Sequence, residues 1–200
     1  MKNEELVFTD KNIFFKLNPK SVVMDLASKS LMKMYSYIVC QNGGNVLDVG
    51  FGMGFSAEEM SNLANHYTCI EINPQVYEKA LEWSKGKPNV TIIFGDWVEI
   101  IPSLKTKYDG IFMDTHDDKN YEKFEEYCKN IANENCILSI FNYFTIREQK
   151  ELNGYDFKIE PMKFTKLVES IHRVNWTHFK DGEFRRGENR IKFKPPTHII

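Results

Sequence analysis

The sequence predicts an α/β fold in which a mostly parallel sheet carries helices on both faces and ends in antiparallel strands. Short apolar segments alternate with amphipathic stretches along the first two thirds of the chain, and strands separated by helices form β-α-β units. The chain has 200 residues, of which 42% are hydrophobic. That length and composition suit one domain with a full core and are too small for two ordinary domains.

The N-terminal region predicts an arm followed by a helix. Residues 1–17 show no period but contain Phe8, Phe14 and Phe15, so we expect an arm or lid that folds over another part of the molecule. Asn18 and Pro19 then predict a helix start, because Asn caps helices and Pro fits their first turn. The apolar residues that recur at helical spacing before Gly43 and Gly44 are Val22, Val23, Leu26, Ala27, Met34, Tyr37 and Ile38.

The middle of the chain predicts five strands, at residues 45–49, 67–72, 90–94, 108–113 and 136–141. Ser56 and Glu59 have the spacing of a capping box, which predicts the helix after the first strand. Asn73 and Pro74 predict a second helix, which runs through Trp83. Residues 96–104 predict a short helix and residues 119–132 a longer one.

The last third of the chain departs from this pattern. From Phe157 onward the residues alternate, and residues 191–194 and 197–200 predict closing strands antiparallel to the others. A helix within residues 162–173 is the alternative for that part of the segment.

Charge and cysteine usage exclude several classes of function. Lysine and arginine total 26, aspartate and glutamate 28, and the net charge of −2 provides no field for a nucleic acid or an anionic membrane. The N-terminus has no signal-peptide pattern, and no apolar run is long enough to span a bilayer. The four cysteines include no C-x-x-C pair, which predicts free thiols, no metal site and a soluble, cytoplasmic protein.

Residues 46–54 carry the most specific signal, the segment VLDVGFGMG. An apolar strand ends there in Gly50, Gly52 and Gly54, directly before a helix. Glycine is suited to this turn because a cofactor can approach a backbone without Cβ atoms, and because tight turns need its backbone angles. No glycine follows at the G-x-G-x-x-G spacing, so a nucleoside cofactor without phosphates fits better than a dinucleotide.

Acidic residues lie at the carboxyl ends of the second and third predicted strands. Glu71 lies 21 positions after Gly50, where an acid meets ribose hydroxyls in open α/β sheets. Asp96 and Trp97 add a polar group and an indole that could bind an adenine. The alternatives are a solvated strand end for Glu71 and a core aromatic for Trp97.

The fourth strand ends before Asp114 and His116, at the edge where open α/β sheets bind their ligands. Asp114 is therefore predicted to contact a substrate or to accept a proton, and His116 to assist or to line the pocket. The alternative for Asp114 is a helix cap, for which Asp117 and Asp118 are better placed.

Together these segments resemble the Rossmann-like class I S-adenosylmethionine-dependent methyltransferases. More narrowly, the chain is similar to guanidinoacetate N-methyltransferase and the related arginine δ-N-methyltransferases, from about residue 19 to residue 145. The G-F-G-M of residues 50–53, the G-D-W of residues 95–97 and the D-T-H of residues 114–116 look like that family's motifs, and Asn142 falls where the family has an Asn.

The resemblance implies a methyltransferase that uses S-adenosylmethionine, yields S-adenosylhomocysteine and needs no metal. It divides the chain into the arm 1–17, a cofactor-binding core 18–145 and substrate-side strands 146–200. Asp114 would face the guanidino group of the substrate. The implied cofactor-binding residues are Met24, Gly50, Phe51, Gly52, Met53, Gly54, Phe55, Glu71, Ile72, Asn73, Asp96 and Trp97.

Two departures from the family concern the acceptor. The family's second acidic residue is replaced by Ser28, and Asp25, one helical turn earlier in the predicted helix, is the candidate to replace its charge. The substrate loop is more aromatic, with Phe144 and Thr145. The predicted acceptor is therefore a guanidino group, in a small molecule or an arginine side chain. The alternatives are another amine, hydroxyl or peptide acceptor, or a non-enzymatic cofactor-binding sensor.

Overall fold

A computed structural model describes residues 4–116 and 120–141, together with strand residues 179–180, 183–186, 189–192 and 197–199. Its main sheet has the strand order β12-β8-β7-β4-β5-β6. The strands are β4 Asn45–Val49, β5 His66–Glu71, β6 Val90–Phe94, β7 Tyr108–Met113, β8 Ala132–Ile140 and β12 Thr197–Ile199. The first five of these are parallel, and β12 is antiparallel to β8 at the edge. The predicted α/β sheet is confirmed.

Helices cover both faces of this sheet. They are α1 Lys29–Val39, α2 Phe55–Leu63, α3 Pro74–Ser84, α4 Trp97–Ile100 and α5 Tyr121–Lys129. Buried residues of α1, α2 and α3, such as Tyr35, Met60 and Val76, form one core with one sheet face. Residues of α4 and α5, such as Trp97 and Phe124, form the second core on the opposite face.

The prediction of a helix from Asn18 is wrong. Residues 6–25 form an antiparallel sheet of β1 Leu6–Phe8, β2 Asn12–Phe15 and β3 Asn18–Asp25, which we call the N-terminal sheet. Val22 and Val23 favour a strand, and pairing with β2 satisfies the backbone that a helix would otherwise satisfy. The helix begins only at Lys29, after a 3-10 turn Leu26–Ser28 that Asp25 caps.

The two predicted helix starts downstream differ in outcome. Asn73 caps α3 as expected, since its Oδ1 accepts hydrogen bonds from the amides of Gln75 (2.9 Å) and Val76 (3.3 Å). The capping box at Ser56 is wrong. Gly54 is the N-cap of α2, and the Ser56 hydroxyl donates instead to the buried carboxylate of Asp48 at 2.8 Å. A buried acceptor without a donor costs more than an unsatisfied cap at a partly exposed helix end.

The closing strands predicted at residues 191–194 and 197–200 correspond to β11 Asn189–Lys192 and to β12, and only β12 pairs with the main sheet. Strand β11 forms a separate antiparallel sheet with β9 Phe179–Lys180 and β10 Glu183–Arg186. The helix considered for 162–173 and the loop residues Asn142, Phe144 and Thr145 lie outside the described residues. Among the described helices, none has the length and apolar character needed to cross a bilayer.

Candidate active site

The candidate site lies where the direction of the sheet connections reverses. Strand β4 pairs with β5 on one side and with β7 on the other, and a crevice forms at the carboxyl ends of strands that diverge in this way. The glycine loop, residues 50–54, leaves β4 at this point. Asp114 leaves β7 beside it, and the Asp114 amide donates to the Val49 carbonyl at 2.9 Å.

The backbone of the glycine loop excludes side chains at two positions. Gly50 has φ +100°, and a Cβ built on it would lie 2.2 Å from the carbonyl oxygen of Asp114. Gly52 has φ +55°, and its Cβ would lie 2.8 Å from Met24 Sδ. Both conformations are unfavourable for residues with a Cβ. The glycine loop therefore packs closely against the Asp114 carbonyl on one side and against Met24 on the other.

Glu71 is held against the same loop. Its side chain is only 4% exposed. Its Oε2 accepts from the Phe51 amide and its Oε1 from the Asn73 amide, both at 2.8 Å. Burial raises the pKa of Glu71, and the backbone amides that donate to it offset part of the rise. The carboxylate thus lies at the carboxyl end of β5, next to the glycine loop, as the sequence predicts for a ribose-binding acid.

The N-terminal sheet covers this edge of the molecule. The Met53 amide donates to Met24 Sδ at 3.3 Å, which joins β3 to the glycine loop. The Asn73 side-chain amide donates to the Glu4 carbonyl at 3.1 Å. Gln75, which the sequence analysis missed, binds β1 through both the oxygen and the nitrogen of its side-chain amide. Its Oε1 accepts from the Leu6 amide at 2.7 Å, and its Nε2 donates to the Leu6 carbonyl at 3.4 Å.

Two aromatic residues predicted at the cofactor lie in the core. Trp97 is 4% exposed and packs edge-on against Phe124 and Tyr127 of α5, with ring centroids 5.3 and 6.2 Å away. This is the core position that the sequence left open as the alternative for Trp97. The buried Phe51 ring lies 5.4 Å from Trp83, so Phe51 reaches Glu71 only through its amide.

Asp96 and Ile72 remain near the predicted cofactor edge. Asp96 follows β6 and caps α4, where its Oδ1 accepts from the Val98 amide at 3.0 Å. Ile72 directly follows Glu71 and is partly buried. Phe55 begins α2, and the Lys29 ammonium lies 5.9 Å from the centre of its ring.

Asp114 is partly buried at the end of β7, and burial raises its pKa to about 7. Helix α5 begins at Tyr121 with Asn120 as its N-cap, so Asp114 does not cap it. The ring of His116 lies 5.2 Å from the ring of Phe15, which belongs to the N-terminal sheet. Asp114 and His116 are therefore placed between the glycine loop and the N-terminal sheet.

Asp25 and Ser28, the two predicted acceptor residues, are in direct contact. Asp25 Oδ1 accepts from the Ser28 amide at 3.0 Å and from the Ser28 hydroxyl at 3.1 Å. Both residues are partly buried, and Asp25 directly follows Met24, which touches the glycine loop. The Asp25 carboxylate therefore lies next to Ser28. A 3-10 turn, and not the predicted helix, brings the two residues together.

Asp48 is a second residue that the sequence analysis missed. Its side chain is fully buried in β4, and its Oδ2 accepts from the hydroxyls of Ser56 and Tyr67, each at 2.8 Å. Its Oδ1 has no hydrogen-bond partner. Burial raises the pKa of Asp48 to about 7, although the two hydroxyls oppose the rise. The available signal was an acid in the middle of an apolar strand.

Comparison with known proteins identifies the family. The family model described as guanidinoacetate N-methyltransferase matches residues 6–148. The chain belongs to the guanidinoacetate N-methyltransferase family. This family is one of methyltransferases, and it confirms the resemblance found in the glycine loop and in the segment after β7.

Two fungal relatives of this family member are both called protein arginine N-methyltransferase 2. The protein from Yarrowia lipolytica is 27% identical over 154 residues, which cover 70% of this chain and 32% of the relative. The protein from Saccharomyces cerevisiae is 31% identical over 56% of this chain and 29% of the relative. The chain therefore spans about a third of the length of these curated relatives.

The fold is shared with solved methyltransferases. The O-methyltransferase TomG from Streptomyces achromogenes, solved in complex with SAM, matches with a TM-score of 0.53 and 13% identity. That match covers 75% of this chain and 68% of TomG. The Rossmann-like methyltransferase sheet predicted from the sequence is thereby confirmed.

Proposed function

We propose that the protein transfers a methyl group from S-adenosylmethionine to a nitrogen of a guanidino group, in a small molecule or in an arginine side chain. Membership of the guanidinoacetate N-methyltransferase family supports this activity. The observation that carries it is the contact between the two halves of the site. Gly50 can have no Cβ because the backbone carbonyl of Asp114 lies against it, so a methyl donor held by the glycine loop would lie beside Asp114.

The described residues fit such a cofactor. The backbone of the glycine loop, residues 50–54, would receive the methionine part of the cofactor, and the Glu71 carboxylate beside the loop would receive its ribose hydroxyls. Asp96 and Ile72 would flank its adenine. When bound, S-adenosylmethionine supplies a methyl group on a positively charged sulfur.

Asp114 would provide the acid–base chemistry. A guanidinium stays protonated near neutral pH, yet methyl transfer requires a free lone pair on the attacking nitrogen. The bound cofactor would supply the methyl group and keep the electron pair of the broken S–C bond on its sulfur. The attacking nitrogen would form the new N–C bond and release its proton to the Asp114 carboxylate. The pKa of Asp114, raised to about 7 by burial, suits a group that must both orient a cation and hold a proton. His116 would line this pocket or assist.

Asp25 would supply the second acidic group of the acceptor pocket. Its Oδ1 is used by the turn that ends at Ser28, so the carboxylate is fixed in position next to the Met24 contact with the glycine loop. Phe144 and Thr145 are proposed to complete the pocket.

A different acceptor is the second candidate. Ser28 adds no charge of its own, and the Asp25 oxygen that accepts from its amide and its hydroxyl is less available to a guanidinium than a free carboxylate oxygen would be. An amine, hydroxyl or peptide side chain would need less negative charge than a guanidinium. A cofactor-binding sensor is the non-enzymatic alternative.

A direct assay tests the proposed function. The protein is incubated with isotope-labelled S-adenosylmethionine and with guanidinoacetate, free arginine, an arginine peptide or a simple amine, and the products are identified by mass. Label is expected in a guanidino product. Label only in the amine would support the second candidate, and bound cofactor without any transfer would support a sensor.

We also propose that the N-terminal sheet, together with the preceding residues, is a lid over the cofactor. Its contacts with Met53, Asn73 and Gln75 support this role. Removing residues 1–15 is expected to weaken S-adenosylmethionine binding at least tenfold. Gln75→Ala should weaken it by a factor of about 5 to 30, because the substitution removes one short and one long hydrogen bond to Leu6 and each lost hydrogen bond is worth about 1 kcal/mol.

Glu78→Ala is the matched control for the lid, since Glu78 is exposed on the same helix. Binding constants are measured by calorimetry for all three variants. Unchanged affinity after removal of residues 1–15 would contradict the lid.

We propose a reducing compartment, the cytoplasm, for this protein. The four cysteines are all buried free thiols, which supports this placement. The proposed partner is a small-molecule or peptide substrate, and the net charge of −2 gives no reason to expect a nucleic acid or a membrane.

A further inference from the structure

Three carboxylates lie on one face of the sheet around the glycine loop. Asp48 is paired in register with Cys69 of β5 and with Phe112 of β7. Glu71 and Asp114 lie two residues beyond these partners, and side chains two residues apart along a strand share a face. Strand rise and spacing place the Cα of Asp48 about 8 Å from that of each of the other two acids. The three carboxylates thus form a triangle. Asp48 is its deepest corner, and Glu71 and Asp114 lie nearer the carboxyl edge of the sheet, where the ligand is proposed to bind.

No cation balances this triangle within residues 4–116 and 120–141. The lysine ion pairs there are made with other acids: Glu5, Glu58, Glu59, Glu82 and Glu125. Glu71 is partly compensated by the two backbone amides that donate to it. Asp48 receives only two neutral hydroxyls, both on Oδ2, and its buried Oδ1 receives none.

The other groups that face Asp48 are neutral near pH 7. Three of them interact electrostatically with Asp48: Tyr67 and Cys69 of β5, and Cys40 after α1. Burial raises the pKa of each of these three groups, so each keeps its proton near pH 7. Helix α2 contributes the neutral Ser56. The charge at Asp48 therefore depends on its own proton and on Asp114 and Glu71.

We propose that Asp48 is a specificity-determining residue that makes the site prefer the cationic sulfonium of the methyl donor over the neutral thioether of its product. This inference rests on the proposed function, which puts the sulfonium between the glycine loop and Asp114. A buried negative charge below the glycine loop attracts a positive sulfur held there and has little effect on a neutral one. The preference would help the product leave after each transfer.

The test compares binding of S-adenosylmethionine and S-adenosylhomocysteine by calorimetry at pH 6 and pH 8.5. Wild type, Asp48→Asn, Asp114→Asn and the double variant form a cycle that separates the two acids. At pH 8.5, Asp48→Asn is expected to lower the preference for the sulfonium roughly tenfold. At pH 6, where Asp48 is mostly protonated, the same substitution should change the preference little. Asp114→Asn should retain the part of the pH dependence that comes from Asp48.

A structural role for Asp48 predicts a different result. Asp48→Asn would then change both affinities by the same factor, or change their ratio equally at both pH values, and either result would overturn the inference alone. If neither ligand binds the wild type, the proposed function and this inference both fail.

Tyr67→Phe keeps the test decisive if Asp48→Asn does not fold. It removes one of the two hydroxyls that stabilise the ionised carboxylate, so the pKa of Asp48 should rise further. The midpoint of the pH-dependent preference should then move to higher pH while the preference at high pH is kept. An unmoved midpoint in a folded Tyr67→Phe protein would overturn the inference.

Discussion

Asp114→Asn is expected to lower the turnover of methyl transfer by a factor of about 10² to 10⁴, the range typical for loss of a positioned acid–base group. The amide keeps the shape of the side chain but cannot accept the proton that the nitrogen releases. The affinity for S-adenosylmethionine should change much less, because the glycine loop and Glu71 are left intact. Turnover is measured by product mass and affinity by calorimetry.

The same prediction has a pH dependence whose sign follows from burial. The pKa of Asp114 is raised to about 7, so the carboxylate is protonated below that pH and ionised above it. Only the ionised form can accept a proton, and turnover should therefore rise through pH 7 and level off above pH 8. The residual activity of Asp114→Asn should lack this contribution.

Asp10→Asn is the matched control, since Asp10 is an exposed aspartate in the turn between β1 and β2. It should change neither turnover nor its pH profile. An Asp114→Asn protein with wild-type turnover would remove Asp114 from the mechanism.

Gly50→Ala is expected to abolish cofactor binding and to destabilise the fold by roughly 3 kcal/mol. The new Cβ would lie 2.2 Å from the Asp114 carbonyl oxygen, and neither backbone can move without breaking the β4–β7 pairing. The glycine loop and Asp114 should therefore separate, which damages both parts of the site at once. Urea unfolding measures the stability, and calorimetry measures the binding.

Gly43→Ala separates strain from contact. Gly43 also has a positive φ, +63°, but a Cβ there would meet nothing within 4 Å. Its substitution should cost only about 1–2 kcal/mol of strain and leave cofactor binding intact. If Gly50→Ala behaved like Gly43→Ala, the close approach of the loop to Asp114 would have no functional meaning.

The sequence was informative where a local signal and its tertiary environment agree. Asn73 before Pro74 caps α3 through its side-chain oxygen, and the contact of its side-chain nitrogen with Glu4 leaves that oxygen in place, so α3 begins where the sequence predicts. The glycines of the loop 50–54 could be interpreted as a tight turn from the sequence alone, because the turn after β4 itself requires their positive φ angles.

Tertiary contacts decided the elements that sequence patterns placed wrongly. The apolar spacing after Asn18 was compatible with a helix, and only pairing with β2 made it a strand. Ser56 has the spacing of a helix cap, but its hydroxyl donates a hydrogen bond to the buried carboxylate of Asp48 instead. The sequence alone is compatible with Trp97 either binding a ligand or packing in the core. Helix α5 packs on the same face of the sheet as Trp97, and contact with Phe124 of that helix places the indole in the core.

The pairing of β12 with β8 also has a consequence for how the chain reaches its native state. Ile137 to Ser139 pair with Thr197 to Ile199, so the outer side of β8 does not have this partner strand until residues 197–199 have been synthesised. Open strand edges promote association between chains, and contacts between distant residues form slowly. The nascent protein is therefore most prone to aggregate through this edge before β12 is available, and chaperone demand should be concentrated in the interval between the synthesis of β8 and of β12.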